Sequence, residues 1–156
     1  MAYTKLQAGQ ALAVIPSDTI PVPNPSATAG SGTAAAPTGA QLVGTATTFT
    51  SSVVVGDIIY DSSNSVAATV LAVVSDTVLT TSAAIATGAS YIIYSQANNP
   101  SNGCVLYVGV AGDVKVKTVA GNDVVFTGVP AGSFMPIQVD QVFATGTTAT
   151  NIVALW

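Results

Sequence analysis

Short runs of Val, Ile, Thr and Tyr recur along the chain, and clusters of Gly, Asn, Asp, Ser and Pro separate them. Branched and aromatic side chains favour strands because they pack well on a pleated, half-buried surface. No long segment places apolar residues at the i, i+3, i+4, i+7 spacing of an amphipathic helix. Short strands separated by turn residues are typical of a β-sandwich or β-barrel. The sequence therefore predicts an all-β, antiparallel fold.

Two of the strand candidates carry a specific pattern. Val114-Lys115-Val116-Lys117 alternates with a period of two, which predicts a strand with buried valines and solvated lysines. Residues 66–74 are almost continuously apolar, which is typical of a strand covered on both faces. The strand candidates are residues 11–15, 57–61, 66–74, 77–81, 91–95, 104–110, 114–119, 124–129, 137–144 and 151–156.

The residues between these runs predict the turns. Ser75-Asp76 predicts a tight turn, and Ala111-Gly112-Asp113 and Ala120-Gly121-Asn122-Asp123 predict hairpins, since these residue types tolerate positive φ. Near Asp140-Gln141 the apolar alternation skips one residue, which predicts a β-bulge.

Composition divides the chain into segments. Residues 1–23 contain one strand candidate, and residues 24–40 are small, polar and rich in Pro and Gly, which predicts a linker or an extended arm. Residues 41–96 form one compact group of strands and residues 104–156 form another. The turn-rich residues 97–103 predict a second linker between them.

The scarcity of charge excludes several classes of partner. Charged residues make up 6% of the chain, the only cations are three lysines, and the net charge is −4. Nucleic acids and anionic membrane surfaces both require a basic patch, so neither is expected as a partner. No run of about 18 apolar residues exists, and residues 1–16 lack a continuous apolar signal region, so neither a membrane span nor export is expected.

Catalysis is not expected because the chain contains no His, Glu or Arg. Nucleophilic triads need a base, and a zinc site needs several Cys or His ligands. The single cysteine, Cys104, lies in an apolar run and is interpreted as a core residue. A hydrolase that uses a pair of the seven Asp residues remains an alternative, although each Asp lies in or beside a turn-like segment.

Calcium is the one ion for which candidate ligands exist. Asp57, Asp61 and Asn64 form one candidate group, and Asn122 with Asp123 forms another. Neither group has the spacing of an EF-hand loop, so no cofactor is expected.

Interaction through weakly polar surfaces is the remaining expectation. The C-terminal Trp156 either packs on the core as part of the last strand or lies at a subunit contact, where Trp is enriched. The predicted interface residues are Trp156, Leu155, Pro21, Pro23 and Pro25. An alternative hypothesis is an adhesin that stacks glycans on tyrosines. Its candidate residues are Tyr60, Tyr91 and Tyr94.

An ordered series of motifs resembles a known family. LYVGVAGDV (106–114) is followed by VVFTGVPAG (124–132), then by ATGTTAT (144–150) and a terminal ALW (154–156), and Pro16-Ser17-Asp18-Thr19 precedes them. This series resembles the head spike base protein family of tailed phages and gene transfer agents. The resemblance covers residues 11–22 and 104–156, and residues 24–100 interrupt it as an insertion.

The resemblance implies a structural role on the outside of a phage head, as a spike base, cement or decoration protein. It implies an anchoring β-domain built from residues 1–23 and 104–156, interrupted by a small inserted β-barrel domain at residues 41–96. It also implies a homo-oligomer that contacts the major capsid protein or another virion protein, with or without a fibre. The family has no catalytic residues to transfer to this chain. An alternative placement is on a tail or fibre, as the glycan-binding adhesin.

Overall fold

The computed structural model describes residues 8–96 and 103–156, and it confirms the all-β class. The described chain divides into two compact units, which we call unit 1 (residues 8–25 and 103–156) and unit 2 (residues 26–96). Both ends of the chain thus contribute to unit 1, as the resemblance implies, with the first boundary after residue 25 instead of residue 23.

In chain order the elements are β1 (Ala11–Ala13), β2 (Thr28–Thr33), β3 (Gln41–Val43), α1 (Phe49–Ser52), β4 (Ile58–Asp61), β5 (Val66–Ser75), β6 (Val78–Thr81), β7 (Ser90–Tyr94), β8 (Cys104–Val110), β9 (Gly112–Thr118), β10 (Asp123–Val129), β11 (Ser133–Val142) and β12 (Thr150–Leu155).

Unit 1 is a six-stranded antiparallel sheet with the order β1-β12-β8-β11-β9-β10. Strand β11 changes partner along its length, because Ser133–Met135 pair with β8 whereas Gln141 and Val142 pair with β9. The register shifts between Val139 and Gln141, which confirms the predicted bulge. Bulges bend a strand, so β11 connects two differently directed parts of the sheet around one core. That core contains Cys104, Leu106, Val108, Val114, Val116, Val139, Val142, Ile152 and Ala154.

The alternation in β9 is as predicted. Val114 and Val116 are fully buried, whereas Lys115 and Lys117 face outward and are half-buried. The hairpin at Ala120–Asp123 is also confirmed, since Asp123 pairs with Lys117 across it.

Unit 2 is a six-stranded antiparallel sheet with the order β2-β7-β4-β5-β6-β3. Ala35, just after β2, forms a bridge with Val43 of β3, so the two ends of the sheet approach each other and the unit is a half-barrel. The tight turn at Ser75-Asp76 is confirmed by the pairing of Ser75 with Val78. The core of the half-barrel contains Leu42, Phe49, Val53, Ile59, Val70, Leu79, Ile85, Tyr91 and Ile93.

The prediction of a linker or arm at residues 24–40 is wrong for its central part. Strand β2 lies within it and pairs with β7 over its whole length. At Gly32 the space is tight, because a Cβ there would lie 3.0 Å from Oη of Tyr91 of β7. The small residue at Gly32, part of the composition that suggested an arm, thus lies in a strand packed against Tyr91.

Two further predictions are corrected, two elements were not predicted, and one prediction falls largely outside the described residues. Strand β5 is not covered on both faces, since Leu71 and Val74 are exposed. The turn at Ala111–Asp113 is not a hairpin, because β11 lies between β8 and β9. Strand β3 and helix α1 were not predicted. Of the predicted linker at 97–103, residues 97–102 lie outside the described residues.

Candidate interaction surface

In the first candidate calcium group, the carboxylates of Asp57 and Asp61 each accept backbone N–H groups of a turn. Both carboxylates are fully buried: Asp57 accepts the N–H groups of Val54 and Gln96, each at 3.0 Å. Asp61 accepts the N–H groups of Ser63 and Asn64 and, at 2.8 Å, the side-chain amide of Asn64. An acidic oxygen bonded to nearby N–H groups is the usual turn function of Asp.

The second candidate group, Asn122 and Asp123, lies exposed on the β9–β10 hairpin. The N–H of Asn122 donates to the hydroxyl of Thr118, which closes this hairpin. Among the residues that the structure describes, no group of three or more His, Cys, Asp or Glu side chains is arranged to hold a metal ion.

The tyrosines proposed to stack glycans are core residues, so that assignment is wrong. Tyr60, Tyr91 and Tyr94 are all buried in unit 2. The rings of Tyr60 and Tyr94 meet edge to face with centroids 5.7 Å apart, and burial raises the pKa of Tyr91 and of Tyr94. Side chains enclosed in this way present no ring face to a sugar.

Cys104 is a free cysteine in the core of unit 1, as predicted. Its Sγ lies 3.5 Å from the carbonyl oxygen of Val139, to which the thiol donates. Burial, with a smaller contribution from Asp140, raises the pKa of the thiol to about 12. The thiolate is the nucleophilic form, so Cys104 is inert at neutral pH.

Of the five predicted interface residues, one is buried and four are half-buried. Trp156 packs against the core of unit 1, which confirms the core interpretation of its two alternatives. Pro23 is buried within the chain, whereas Leu155, Pro21 and Pro25 are half-buried. None of the five is an exposed apolar residue, so the weakly polar surface lies elsewhere.

Two segments of the family resemblance meet in space. Asp18 accepts both the N–H of Thr145, at 2.9 Å, and the hydroxyl of Thr145, at 2.7 Å. Ser17 accepts the N–H groups of Thr19 and Ile20, and its carbonyl accepts the side-chain amide of Gln141. Pro16–Thr19 is therefore a turn that fastens the N-terminal segment to the C-terminal strands.

This attachment makes part of the stability of unit 1 depend on pH. The hydroxyl and N–H of Thr145 hold the pKa of Asp18 below its ordinary value of 3.8. A lowered pKa stabilises the folded state above about pH 4, and the contribution is lost as pH falls through the lower, folded pKa. Replacing Thr145 by Val removes the side-chain hydrogen bond. We expect the pKa of Asp18, measured by NMR titration, to rise towards 3.8.

The free energies of unfolding of the wild type and of Thr145→Val should then converge at low pH. The matched control is Thr127→Val, another exposed threonine whose hydroxyl is not bonded to Asp18. An unchanged pKa of Asp18 in Thr145→Val would show that the attachment is absent in solution.

Unit 1 carries an apolar groove of about 450 Å³. Residues 126–130 of β10 and the following loop form one side, and residues 133–137 of β11 form the other. The lining includes the buried side chains of Val129 and Met135. Phe134 stands at the groove with 66% of its surface exposed, and its ring centroid lies 5.2 Å from that of Tyr107.

Strand β10, beside this groove, is an edge strand with apolar side chains on both faces. Within residues 8–96 and 103–156 it pairs only with β9, in the register Asp123 to Lys117 through Phe126 to Val114. Val124 and Phe126 share the face of the core valines of β9, and Val125 lies beside Lys115 on the opposite face. Val124 is 37% exposed and Val125 47% exposed.

Electrostatically, the groove is neutral. No charged side chain lines it, and the nearby carboxylate of Asp113 accepts the N–H of Gly128 at 2.8 Å. The outward cation of Lys115 lies 4.7 Å from the ring centre of Phe143, on the other face of the sheet. Such a surface favours contact with another apolar, weakly charged protein surface.

The sequence identified β10 as a strand but not as an edge. The only local signal was the run of two valines and a phenylalanine with no lysine or proline. Edge position depends on which strands pair, and that is decided by residues far away in the chain.

Unit 2 carries as many exposed large apolar side chains as unit 1, five among the described residues, and Ile92 of β7 is one of them. Val54 and Val55 lie before β4, and Leu71 and Val74 lie on β5. The N–H of Gly56 donates to the carbonyl of Val70. The segment that contains Val55 therefore lies next to the part of β5 that contains Leu71.

The fold therefore defines an all-β protein of two antiparallel units, each with exposed apolar side chains, which on unit 1 include Val124 and Val125 of β10 and Phe134 at the groove. Scans against protein-family models, curated proteins and solved structures return no match. Within residues 8–96 and 103–156, no helix reaches the length and hydropathy needed to cross a bilayer.

Proposed function

We propose that the protein is a structural component of a phage virion that lies on the outside of the head and acts through contacts between copies of itself. The observation that carries this proposal is the exposed apolar edge of unit 1, formed by β10 and the groove. Contiguous exposed apolar surface usually marks an interaction site. The residues that line the groove carry no charge, and Asp123 is the single charged residue of β10.

The family resemblance supplies the virion context for this self-association. Its N-terminal and C-terminal segments fold into one unit and are joined by Asp18 and Thr145. A role outside the capsid also suits the net charge of −4, because packaged DNA repels an acidic protein. The adhesin alternative loses its proposed binding residues, since the three tyrosines are buried.

The test is to locate the chain on particles. Particles are purified from the host that encodes the chain and labelled with a biotin reagent that does not enter intact capsids. We expect the chain to co-purify in many copies and to be labelled before the capsids are opened. Particles made without the gene serve as the control, and purified chain added to them should bind. Absence from the particle fraction, or labelling only after opening, would refute the proposal.

A further inference from the structure

The first part of strand β10, up to Phe126, lacks the lysine, proline and bulge that usually protect an edge. Exposed edges are commonly blocked by lysine, proline, a bulge or very short length. Here β10 has seven residues, no lysine and no proline, and its register with β9 is regular from Asp123 to Phe126. The irregularity comes only after Phe126. The first part of β10 is thus a regular edge that can accept another strand.

The side chains of β10 are complementary to a second, antiparallel copy of the same strand. Residues directly opposite each other in an antiparallel pair lie on the same face of the sheet. If Val125 lies opposite Val125 of a second copy, Val124 lies opposite Phe126 of that copy. The remaining pair is Asp123 with Thr127. Apolar residues then meet on both faces and the polar residues meet at the ends.

Charge supports this register. Asp123 is the only charged residue of β10, and within its own chain it pairs with Lys117. Across the axis it meets the hydroxyl of Thr127, which can donate to a carboxylate. No like charges are brought together. A register centred on Phe126 would instead place Asp123 opposite the apolar Val129.

We propose that two copies of the protein associate by antiparallel pairing of β10 about a two-fold axis at Val125, forming one continuous sheet across both copies. The proposal rests on the proposed self-association and specifies its interface. A two-fold contact uses the same surface on both copies and is closed. It covers the exposed Val124 and Val125 of each copy and leaves no β10 edge free for further growth.

Cysteine cross-linking tests the register. In Val125→Cys the two introduced thiols would face each other across the axis, within the roughly 4.4–6.8 Å Cα separation that a disulfide requires. Thr127→Cys is the matched control, because its two thiols would be offset by four residues, about 13 Å along the strands. The native Cys104 is buried in every variant. We expect mild oxidation to give a covalent dimer with Val125→Cys, and none with Thr127→Cys or the wild type.

A covalent dimer with both variants would indicate pairing without a defined register, and a dimer with neither would indicate no pairing. Either result overturns the proposal. The cross-linking result does not depend on virions. If the protein dimerises in this way but is absent from particles, only the proposed function is refuted. A chain found on particles that gives no Val125→Cys dimer would refute only the interface.

Charge exchange tests the same interface without a covalent bond. Val125→Glu places a carboxylate beside Lys115 within the chain but opposite a second carboxylate across the axis. We expect sedimentation velocity to show a dimer for the wild type and at least a tenfold weaker dimer for Val125→Glu and for Val125→Lys. An equimolar mixture of the two variants should restore dimerisation, and circular dichroism checks that each is folded. A Val125→Glu protein that sediments like the wild type would overturn the proposal.

Discussion

Replacing Asp57 by alanine should destabilise unit 2 by about 2–4 kcal/mol, because two partly buried N–H groups lose their acceptor. The carboxylate is fully enclosed and receives the N–H groups of Val54 and Gln96, which come from segments far apart in the chain. An unsatisfied buried donor costs the desolvation of that group, about 1–3 kcal/mol each. Urea unfolding, followed by circular dichroism, measures the loss.

Two controls separate this turn function from calcium binding. Asp57→Asn keeps one acceptor oxygen in place, so its loss should be clearly smaller than that of Asp57→Ala. Addition of millimolar calcium should leave the unfolding midpoint of the wild type unchanged, since both oxygens of Asp57 already accept N–H groups. A midpoint that rises with calcium would mean that Asp57 and Asp61 bind the ion after all.

The second large effect is expected at Gly112, the first residue of β9. A Cβ at this position would lie 2.4 Å from the backbone nitrogen of Ala149 and 2.7 Å from the carbonyl carbon of Thr148. Backbone atoms cannot move aside as a flexible side chain can, so Gly112→Ala must displace the loop before β12. Overpacking of this kind costs about 1–3 kcal/mol, and a backbone obstacle should put the loss at the upper end.

Gly9→Ala is the matched control for this substitution. It lies in the same unit, and a Cβ there would meet no atom within 4 Å. Thermal or urea unfolding should show a loss for Gly112→Ala and little change for Gly9→Ala. Equal stabilities of the two variants would contradict the close approach of β9 to the residues before β12.

Gly112 also explains why the predicted hairpin at Ala111–Asp113 is wrong. A Gly-Asp sequence between two strands has the same local chemistry whether the chain reverses or crosses to a more distant strand. Here Asp113 bonds to Gly128 and to the hydroxyl of Thr148. These partners are distant in sequence, so the local pattern could not reveal them.

The sequence correctly predicted the elements whose conformation depends on residues adjacent in the chain. Strand β9 follows from the alternation of valine and lysine, and the β9–β10 hairpin follows from its Gly-Asn-Asp turn. Strand β2 was missed because its pairing with β7, including the close approach of Gly32 to Tyr91, is a contact between distant segments. The edge position of β10 was also not predicted, because it depends on pairing between distant segments. The burial of the three tyrosines likewise depends on the closure of unit 2.

A reconstruction of the intact particle by electron cryomicroscopy is the most direct measurement of the proposed role. We expect density for this chain on the outer surface of the head, in copies related by two-fold axes with their β10 strands paired. Particles without this density on the outer surface, or copies whose β10 edges face only solvent, would contradict a structural role that acts through contacts between copies.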